Sequence, residues 1–227
     1  MARRTKEEAL ETRSKLLDAA ECLFQAQGVS RTTLQDIALH AGATRGAVYW
    51  HFKDKGDLFN AMMERVTFPL EAYFNQEESP ADISKDASTG ALDHTRSAIL
   101  KALNQIVNDP RTRRVMEVAT QKVEYVDELS VIRLRHLAAR NGFLCRVRHG
   151  LDTASQQKNL QLPLSSDFAA RGLHALIDGL IQNWLLDPQA FDLLQAGHCT
   201  MNAYFIGLGF DADMQDTATT PPPEISK

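Results

Sequence analysis

Residues 32–55 read TTLQDIALHAGATRGAVYWHFKDK and contain two short helical patterns separated by a turn. Thr33 followed three positions later by Asp36 is a capping-box signal at the start of the first helix. Gly42 predicts the end of that helix, because glycine adopts the left-handed conformation of a C′ residue without steric cost. Thr44 is an N-cap signal for the second helix. Two short helices joined by a glycine turn are typical of a helix-turn-helix.

The second helix carries more polar aromatic side chains than it can bury. Tyr49, Trp50 and His51 are consecutive, and consecutive residues on a helix point in different directions. We therefore expect their hydroxyl, indole and imidazole groups to bind phosphate oxygens, while Arg45 reaches a guanine edge. The competing interpretation is that this aromatic run is only the core of a small bundle, and we adopt that interpretation for Phe52.

The net charge of −4 conceals an uneven distribution along the chain. Residues 1–55 hold nine Lys and Arg against seven Asp and Glu, whereas residues 56–227 hold sixteen against twenty-two. A basic end on an acidic chain suits a protein that docks on DNA through that end. Arg3, Arg4 and Lys6 form a basic N-terminal arm, which either contacts DNA or is a solvated terminus, and Lys53 and Lys55 add charge behind the second helix.

The overall composition favours a cytoplasmic globular protein. The 227 residues, of which 44% are hydrophobic, are sufficient for a sizeable core. No run of about eighteen apolar residues predicts a membrane span, and no apolar segment follows the basic N-terminus to form a secretory signal. The three cysteines, Cys22, Cys145 and Cys199, are widely separated and are predicted to be reduced thiols.

The periodicity predicts an all-α protein, without an alternating strand pattern. A first helix at 6–27 completes a three-helix helix-turn-helix DNA-binding domain at residues 1–55. Asp54 caps a fourth helix that leads without a flexible linker into a larger helical ligand-binding and dimerisation domain at 56–210. Pro69 is expected to break or kink this helix, and the aromatic residues Tyr73 and Phe74 indicate that it resumes. The tail 211–227 is predicted to be disordered. A loop is expected at 77–90, and further helices at 92–108, from 110, and at 127–151, 165–186 and 191–208.

The N-terminal part of the chain resembles the DNA-binding domain of the TetR family of transcriptional regulators. The matching segments are GV at 28–29, TT at 32–33, IA at 37–38, AG at 41–42, TRG at 44–46 and YWHFKDK at 49–55. The chain is similar to the branch of that family that represses multidrug efflux operons, the AcrR and TtgR type, through MARRTKEEALETR at 1–13, RTRRVMEV at 111–118, QKVEY at 121–125 and DGLIQNWLLDP at 178–188. The similarity runs to about residue 210 and is strongest before residue 60.

This resemblance implies a homodimeric repressor whose recognition helix, residues 44–51, enters the major groove of a pseudo-palindromic operator in double-stranded DNA. The last two long helices, which each carry a broad apolar band, are expected to pair with their mates in a four-helix bundle. Arg45 and Gln35 are expected to read bases. The complete set of predicted DNA contacts is Thr33, Gln35, Thr44, Arg45, Gly46, Tyr49, Trp50, His51 and Lys55, of which Thr33, Tyr49, His51 and Lys55 are expected to bind phosphate.

The resemblance also implies that a hydrophobic drug-like inducer releases the operator. The residues that match the family's drug pocket are Val66, Thr67, Met116, Thr120, Gln121, Phe143, His174, Ile177 and Asp178. The efflux repressors often carry His or Asn where this chain has Thr120 and Met116, and an acid can stand at the position of Thr67, so a less polar pocket is expected here. For single residues such as Met116 and Ile177, the alternative is plain core.

Other classes of function have weaker support in the sequence. Cys145 and His149 are the one Cys/His pair at helical i, i+4 spacing, and zinc requires three or four ligands, so no metal site is expected. The chain lacks a G-x-S-x-G elbow, a glycine-rich phosphate loop and an H-E-x-x-H motif, so neither catalysis nor a cofactor is expected. A TetR-type regulator of another pathway and an activator stay open, as do, more remotely, a helical small-molecule-binding protein and an enzyme without DNA function.

Overall fold

The computed structural model of this chain describes residues 6–75, 90–124 and 130–211, without the side chains of residues 67–75. Every regular element within these residues is a helix, which confirms the all-α prediction. The helices are α1 (Lys6–Gln27), α2 (Leu34–His40), α3 (Arg45–His51), α4 (Lys55–Asn75), α5 (Ala91–Asn108), α6 (Pro110–Gln121), α7 (Ser130–Gln157), α8 (Ser166–Leu186) and α9 (Leu193–Gly207). The predicted arm at 3–4, nearly all of the loop at 77–90 and the tail from 212 onward lie outside the described residues.

Local capping defines the helix-turn-helix, as the sequence predicts. The Thr33 hydroxyl accepts a hydrogen bond from the Asp36 amide at 3.1 Å, and the Asp36 carboxylate accepts one from the Thr33 amide at 2.9 Å, which completes a capping box. Gly42 follows α2 with φ of +64°, in the left-handed region that favours glycine. The Thr44 hydroxyl then accepts a hydrogen bond from the Ala47 amide at 3.2 Å and caps α3. These three local devices fix the angle between α2 and α3.

Helices α1 to α4 share an N-terminal core that continues beyond the predicted domain boundary at residue 55. Phe24, Val48 and Phe52 pack in this core with Phe59 of α4, and all four side chains are buried. Side chains from α6 and from the start of α7 complete the same core, among them Val115. The helix-turn-helix therefore rests directly on helices of the larger domain, and no flexible linker separates the two parts.

Helix α4 differs from the sequence expectation at its centre. Asp54 caps it as predicted, because its carboxylate accepts a hydrogen bond from the Asp57 amide at 2.8 Å. The helix then continues through Pro69 to Asn75, so Pro69 does not break it, and the alternative expectation of a kink stays a prediction. A proline removes one helical hydrogen bond and crowds the preceding turn, and α4 as a whole packs against α1, α5, α6 and α7.

A second, C-terminal core joins α5, α7, α8 and α9. Its fully buried side chains include Leu103, Leu151 and Phe205. Gly197 allows α9 to approach α5 closely, because a Cβ atom at that position would lie 2.4 Å from Leu103 Cδ1. A larger residue at position 197 would therefore require the Leu103 side chain to move.

The apolar band predicted on the last two long helices is mostly turned into the protomer's own core. Leu173 and Ile177 of α8 and Met201 of α9 are buried there. Other large apolar side chains stay exposed on these two helices, and one of them, Leu176, belongs to the predicted band. This α8–α9 apolar stripe consists of Phe168, Leu176, Leu186 and Ile206. None of the described helices is both long and apolar enough to cross a membrane.

Candidate DNA-binding face and ligand cavity

Helix α3 buries one side and presents aromatic groups on the other. Val48 is fully buried, while Tyr49 is 49% and Trp50 72% exposed. Phe52, at the end of α3, is 2% exposed, which confirms its assignment to the core. The imidazole of His51 is half-buried and meets the Trp50 indole edge to face, with ring centroids 4.5 Å apart. The structure thus leaves the indole and phenol groups accessible to a large partner.

Arg45 and Tyr49 form a pair on the exposed side of α3. The guanidinium carbon of Arg45 lies 5.5 Å from the centre of the Tyr49 ring, and its Nη2 donates to the Tyr49 hydroxyl at 3.5 Å. The two residues are one helical turn apart, so this contact restricts both side chains before any partner binds. Gly46, another predicted DNA contact, is also exposed on α3.

Two of the other predicted DNA contacts, Thr33 and Thr44, also cap the helices of the DNA-binding face. The Thr33 hydroxyl donates to the Asp36 carboxylate at 2.7 Å and, with the Thr33 amide, holds the pKa of Asp36 below its usual value. Thr44 caps α3, as described above. Both residues are exposed, as is Gln35 on α2, so all three side chains are open to solvent beside α3.

Lys55 is engaged differently from the expectation. Its ammonium group donates to the backbone carbonyls of Val29, Ser30 and Thr32 at 2.9, 3.2 and 3.2 Å. An ammonium has three donors, so this arrangement uses its full capacity inside the protein. The predicted phosphate contact would require Lys55 to give up one of these bonds. In the structure, its task is to fix the α1–α2 loop against the start of α4.

A cavity of about 540 Å³ lies between the two cores. Its wall is mostly apolar, and Met63 and Ala119 contribute from the N-terminal core while Ile99 and Ile177 contribute from the C-terminal core. Volumes of roughly 300–1,000 Å³ are typical of sites for small organic molecules. Helices α4, α5, α6, α7 and α8 each supply part of the wall.

Six of the nine residues predicted for the ligand pocket line this cavity. They are Met116, Thr120, Phe143, His174, Ile177 and Asp178. Val66 does not line the cavity, because it faces the N-terminal core and is buried there. Gln121 lies at the end of α6 and lines a separate groove beside the α1–α2 loop, which includes Gly28 and Ser30. The side chain of Thr67 lies outside the described residues.

Sequence reasoning missed several polar side chains of the cavity. Arg140 and Arg146 of α7, together with His136 and Gln182, line it. Burial lowers the pKa of His136, with Arg135 acting in the same direction and Asp178 against it. Burial also lowers the pKa of His174, whose ring packs against Phe143 with centroids 5.4 Å apart. Both imidazoles are therefore predominantly neutral at pH 7.

A cluster of charged residues connects the DNA-binding helices with α6. In this α1–α4–α6 charge cluster, Arg65 of α4 donates to Asp18 at 2.7 Å and to Glu21 at 2.8 Å, both on α1. Arg111 of α6 binds the same two carboxylates at 2.9 and 3.4 Å, and Arg114 lies 4.0 Å from Glu21. Glu21 is 1% exposed. Movement of α6 relative to α1 would therefore disturb a buried carboxylate and its partners.

The described residues offer little for metal binding, since no group of three or more His, Cys, Asp or Glu side chains among them is placed to hold an ion. The three cysteines are exposed and none of them forms a disulfide. Two places in the described part of the chain offer groups for recognition by hydrogen bonds, charge and apolar contact: the exposed face of α3 and the cavity.

Comparison with known proteins finds a family model in the N-terminal part of the chain and another in the C-terminal part. Residues 16–62 match the model of the bacterial regulatory proteins of the tetR family, and residues 91–209 match the C-terminal region of MAATS-type transcriptional repressors. The chain is 39% identical over 196 residues to the transcriptional regulator TtgR of Pseudomonas putida, with 86% of this chain and 90% of TtgR covered.

Solved structures show the same fold. NalD, the secondary repressor of the MexAB-OprM multidrug efflux pump of Pseudomonas aeruginosa, superimposes with a TM-score of 0.78 at 33% identity, covering 89% of this chain and 98% of NalD. SmeT, the repressor of the Stenotrophomonas maltophilia efflux pump SmeDEF, matches in its complex with triclosan with a TM-score of 0.74 at 30% identity, over 94% of this chain and 100% of SmeT. These relatives are regulators of transcription, and this chain belongs to the TetR family of bacterial transcriptional regulators.

Proposed function

We propose that this chain represses a multidrug efflux operon and releases its operator when a small molecule occupies the cavity. The observation that carries the proposal is the exposed face of α3, where Arg45 stacks on Tyr49 and Trp50 is accessible. The cavity borders the N-terminal core on which this face rests. The efflux repressors NalD and SmeT support the type of operon, and the triclosan complex of SmeT supports a small apolar ligand.

Helix α6 is the proposed connection between the cavity and the DNA-binding face. Met116 and Ala119 of α6 line the cavity, and its C-cap residue Lys122 accepts a hydrogen bond from the Val29 amide at 3.0 Å. The Val29 carbonyl is in turn bound by Lys55 at the start of α4. A ligand that favours another position of α6 would therefore shift the loop that carries α2. Such coupling requires different ligand affinities in the two positions.

We further propose that the repressor acts as a homodimer through α8 and α9. Two recognition helices must reach two half-sites on one side of a pseudo-palindromic operator. The α8–α9 apolar stripe supports this interface, because it exposes four large side chains that a second copy of the stripe would cover. The protein would act on DNA in the cytoplasm, where its exposed cysteines stay reduced.

The direct test is binding of the purified full-length chain to the DNA upstream of its own gene. We expect tight binding that weakens steeply with salt, because phosphate contacts release counterions, and that is reversed by some members of a panel of apolar drugs including triclosan. Binding that no compound disturbs would contradict the role of the cavity. Failure to bind any duplex in a genome-wide selection of sites would contradict the repressor assignment.

A transcription assay on the same DNA separates repression from activation. We expect the protein to lower transcription from the adjacent promoter and an active ligand to restore it. Higher transcription in the presence of the protein would identify an activator instead.

A further inference from the structure

Arg13 of α1 lies over the end of the recognition helix. Its guanidinium carbon is 5.2 Å from the centre of the Phe52 ring, and Phe52 is the C-cap residue of α3. The Phe52 side chain is 2% exposed, and the half-buried arginine forms part of its cover. Arg13 thus brings a permanent positive charge from α1 to the C-terminal end of α3.

The packing around Arg13 does not by itself require a charge. Arg13 precedes Leu17 and Ala20 by one and two helical turns, and both of these residues are buried in the N-terminal core. The arginine therefore lies at the edge of the apolar side of α1, where its stem packs and its charged head reaches solvent. A methionine at this position would cover the Phe52 ring equally well.

The protein itself offers this guanidinium no anionic partner among the residues that the structure describes. No carboxylate in that part of the chain forms an ion pair with Arg13, and no carbonyl at the end of α3 accepts a hydrogen bond from it. Acids close in sequence have other partners, since Glu11 binds Lys15 at 2.7 Å. Asp54 and Asp57 accept amide hydrogen bonds at the start of α4. Arg13 differs in this respect from the arginines of the α1–α4–α6 charge cluster, which bind carboxylates.

The expected docking of α3 on DNA provides an anion next to Arg13. The seven residues of α3 are roughly 10 Å long, and the major groove is about 12 Å wide. When the side of α3 that carries Arg45 and Tyr49 faces the bases, groups beside the ends of the helix come close to the strands that border the groove. The phosphates of those strands are anions that arginine binds through paired hydrogen bonds.

We propose that Arg13 binds a backbone phosphate of the operator beside the C-terminal end of α3. The contact comes from α1, where the sequence predicts no DNA contact beyond the N-terminal arm. Stacking on Phe52 restricts the arginine before DNA binds, so less conformational entropy is lost in the complex. The inference rests on the proposed function, because it adds a contact to the repressor's own DNA-binding face.

A variant that removes the charge and keeps the packing tests this contact. Arg13→Met retains an unbranched side chain over Phe52 and loses the guanidinium. We expect the full-length variant to bind the operator and an unrelated duplex more weakly by the same factor, about three- to tenfold. The slope of log affinity against log salt should fall by about one, whereas Arg13→Lys should keep it. An unchanged slope in Arg13→Met, or an equal fall in Arg13→Lys, would overturn the proposal.

Two controls separate a direct contact from a general effect of charge or stability. Lys15→Met removes one charge from another side of the same helix, and should leave the salt slope unchanged. Urea unfolding of Arg13→Met should be close to that of wild type, and Arg13→Gln is the second variant without the charge if Arg13→Met does not fold. An equal fall in slope with Lys15→Met would identify a general effect of charge and would overturn the assigned contact.

Duplexes that carry one uncharged methylphosphonate locate the phosphate. Each duplex replaces a single phosphate of a half-site, and the replaced position is moved along both strands. We expect one position in each half-site at which wild type loses affinity and Arg13→Met loses no more, because the charge that pairs with this phosphate is already absent. Equal losses for the two proteins at every position would show that Arg13 contacts no phosphate.

These outcomes keep the contact distinguishable from the proposed function. Wild-type protein that binds its operator and is released by an apolar drug, with no phosphate position sensitive to Arg13, would refute this contact alone. Wild-type protein that binds no duplex would refute the repressor assignment and the contact together.

Discussion

Arg45 is the exposed side chain whose position the structure restricts most clearly before DNA binds. Its guanidinium stacks on Tyr49, and Thr44 caps the helix immediately before it. A pre-organised guanidinium loses less conformational entropy when it forms two parallel hydrogen bonds to a base edge. A flexible lysine at this position would lack both the stacking and the fork geometry.

The first prediction concerns Arg45→Ala. We expect this change to reduce the preference for the operator over unrelated DNA by about 1–3 kcal/mol, because a base contact is lost while phosphate contacts persist. The midpoint of thermal unfolding should not change, since the side chain is exposed. Fluorescence anisotropy with both duplexes measures the preference. Arg133→Ala removes the same charge from an exposed position of α7 and should leave the preference for the operator unaltered. If Arg45→Ala instead weakened binding to both duplexes equally, Arg45 would be a phosphate contact.

The second prediction separates two neighbouring lysines. Lys55→Ala should lower the free energy of unfolding by about 1–3 kcal/mol, because three backbone carbonyls lose their charged donor. Lys53→Ala, at an exposed position, should leave stability unchanged and reduce the slope of log affinity against log salt by about one. Urea unfolding and salt titration of DNA binding give the two quantities. If Lys55→Ala altered only the salt slope and left stability unchanged, Lys55 would be a phosphate contact, as the sequence predicts.

At the scale of helices, the elements that the sequence predicts well are those defined by local interactions. Thr33, Gly42 and Thr44 act within four residues of their partners, so pattern and structure agree on α2 and α3. Pro69 lies inside an unbroken helix although the sequence predicts a break or kink there. A rule based on neighbouring residues takes account of the local cost of a proline, but not of the packing of α4 against four other helices. Arg140 likewise resembles any surface residue of a polar helix in the sequence, and only the packing of α7 against α4, α5 and α8 places it beside the cavity.

The α1–α4–α6 charge cluster joins three helices through one buried acid. Burial raises the pKa of Glu21, and the neighbouring Arg65 and Arg111 oppose that effect. A buried ion pair contributes little net stability compared with apolar packing, but removal of one partner leaves an uncompensated charge. The cluster therefore constrains how α6 can move relative to α1, rather than adding much to the stability of the fold.

The third prediction follows from that asymmetry. Arg65→Met should lower the free energy of unfolding by about 3–5 kcal/mol near pH 7, because Glu21 loses its shortest ion pair. The change should also raise the pKa of Glu21 further in the folded protein. An acid with a raised folded pKa stabilises the fold below its unfolded pKa, and this contribution is lost as pH rises through the folded pKa. The deficit should therefore be smaller near pH 5 than near pH 8.

Urea unfolding of wild type and variant at both pH values measures this deficit. Arg111→Met is the matched comparison, because Arg111 binds the same carboxylates from a half-exposed position and should cost less than about 1 kcal/mol. Equal deficits for the two variants, or a deficit independent of pH, would contradict the assigned role of Glu21.

At the scale of the whole molecule, both cores contribute to the cavity, whereas the α8–α9 apolar stripe lies on the surface of the C-terminal part. Sequence periodicity identified the apolar character of α8 and α9, but it could not distinguish residues that face α5 and α7 from those that face outward. Leu173 and Phe205 are buried in the protomer's own core, whereas Leu176 and Ile206 are exposed on its surface. Distinguishing these two groups requires the position of every neighbouring helix, which is information held by the tertiary structure alone.

The fourth prediction tests the proposed interface with charge. Leu176→Glu/Ile206→Glu would place four carboxylates in a symmetric apolar contact, and their burial without partners is strongly unfavourable. We expect sedimentation velocity to show a monomer where wild type is a dimer, and operator affinity to fall by about a hundredfold or more, since one recognition helix reaches only one half-site. Leu134→Glu, at an exposed apolar position of α7, should alter neither property. A double variant that stays dimeric with full affinity would show that the dimer forms through another surface, and the separation of the two recognition helices would then be set elsewhere.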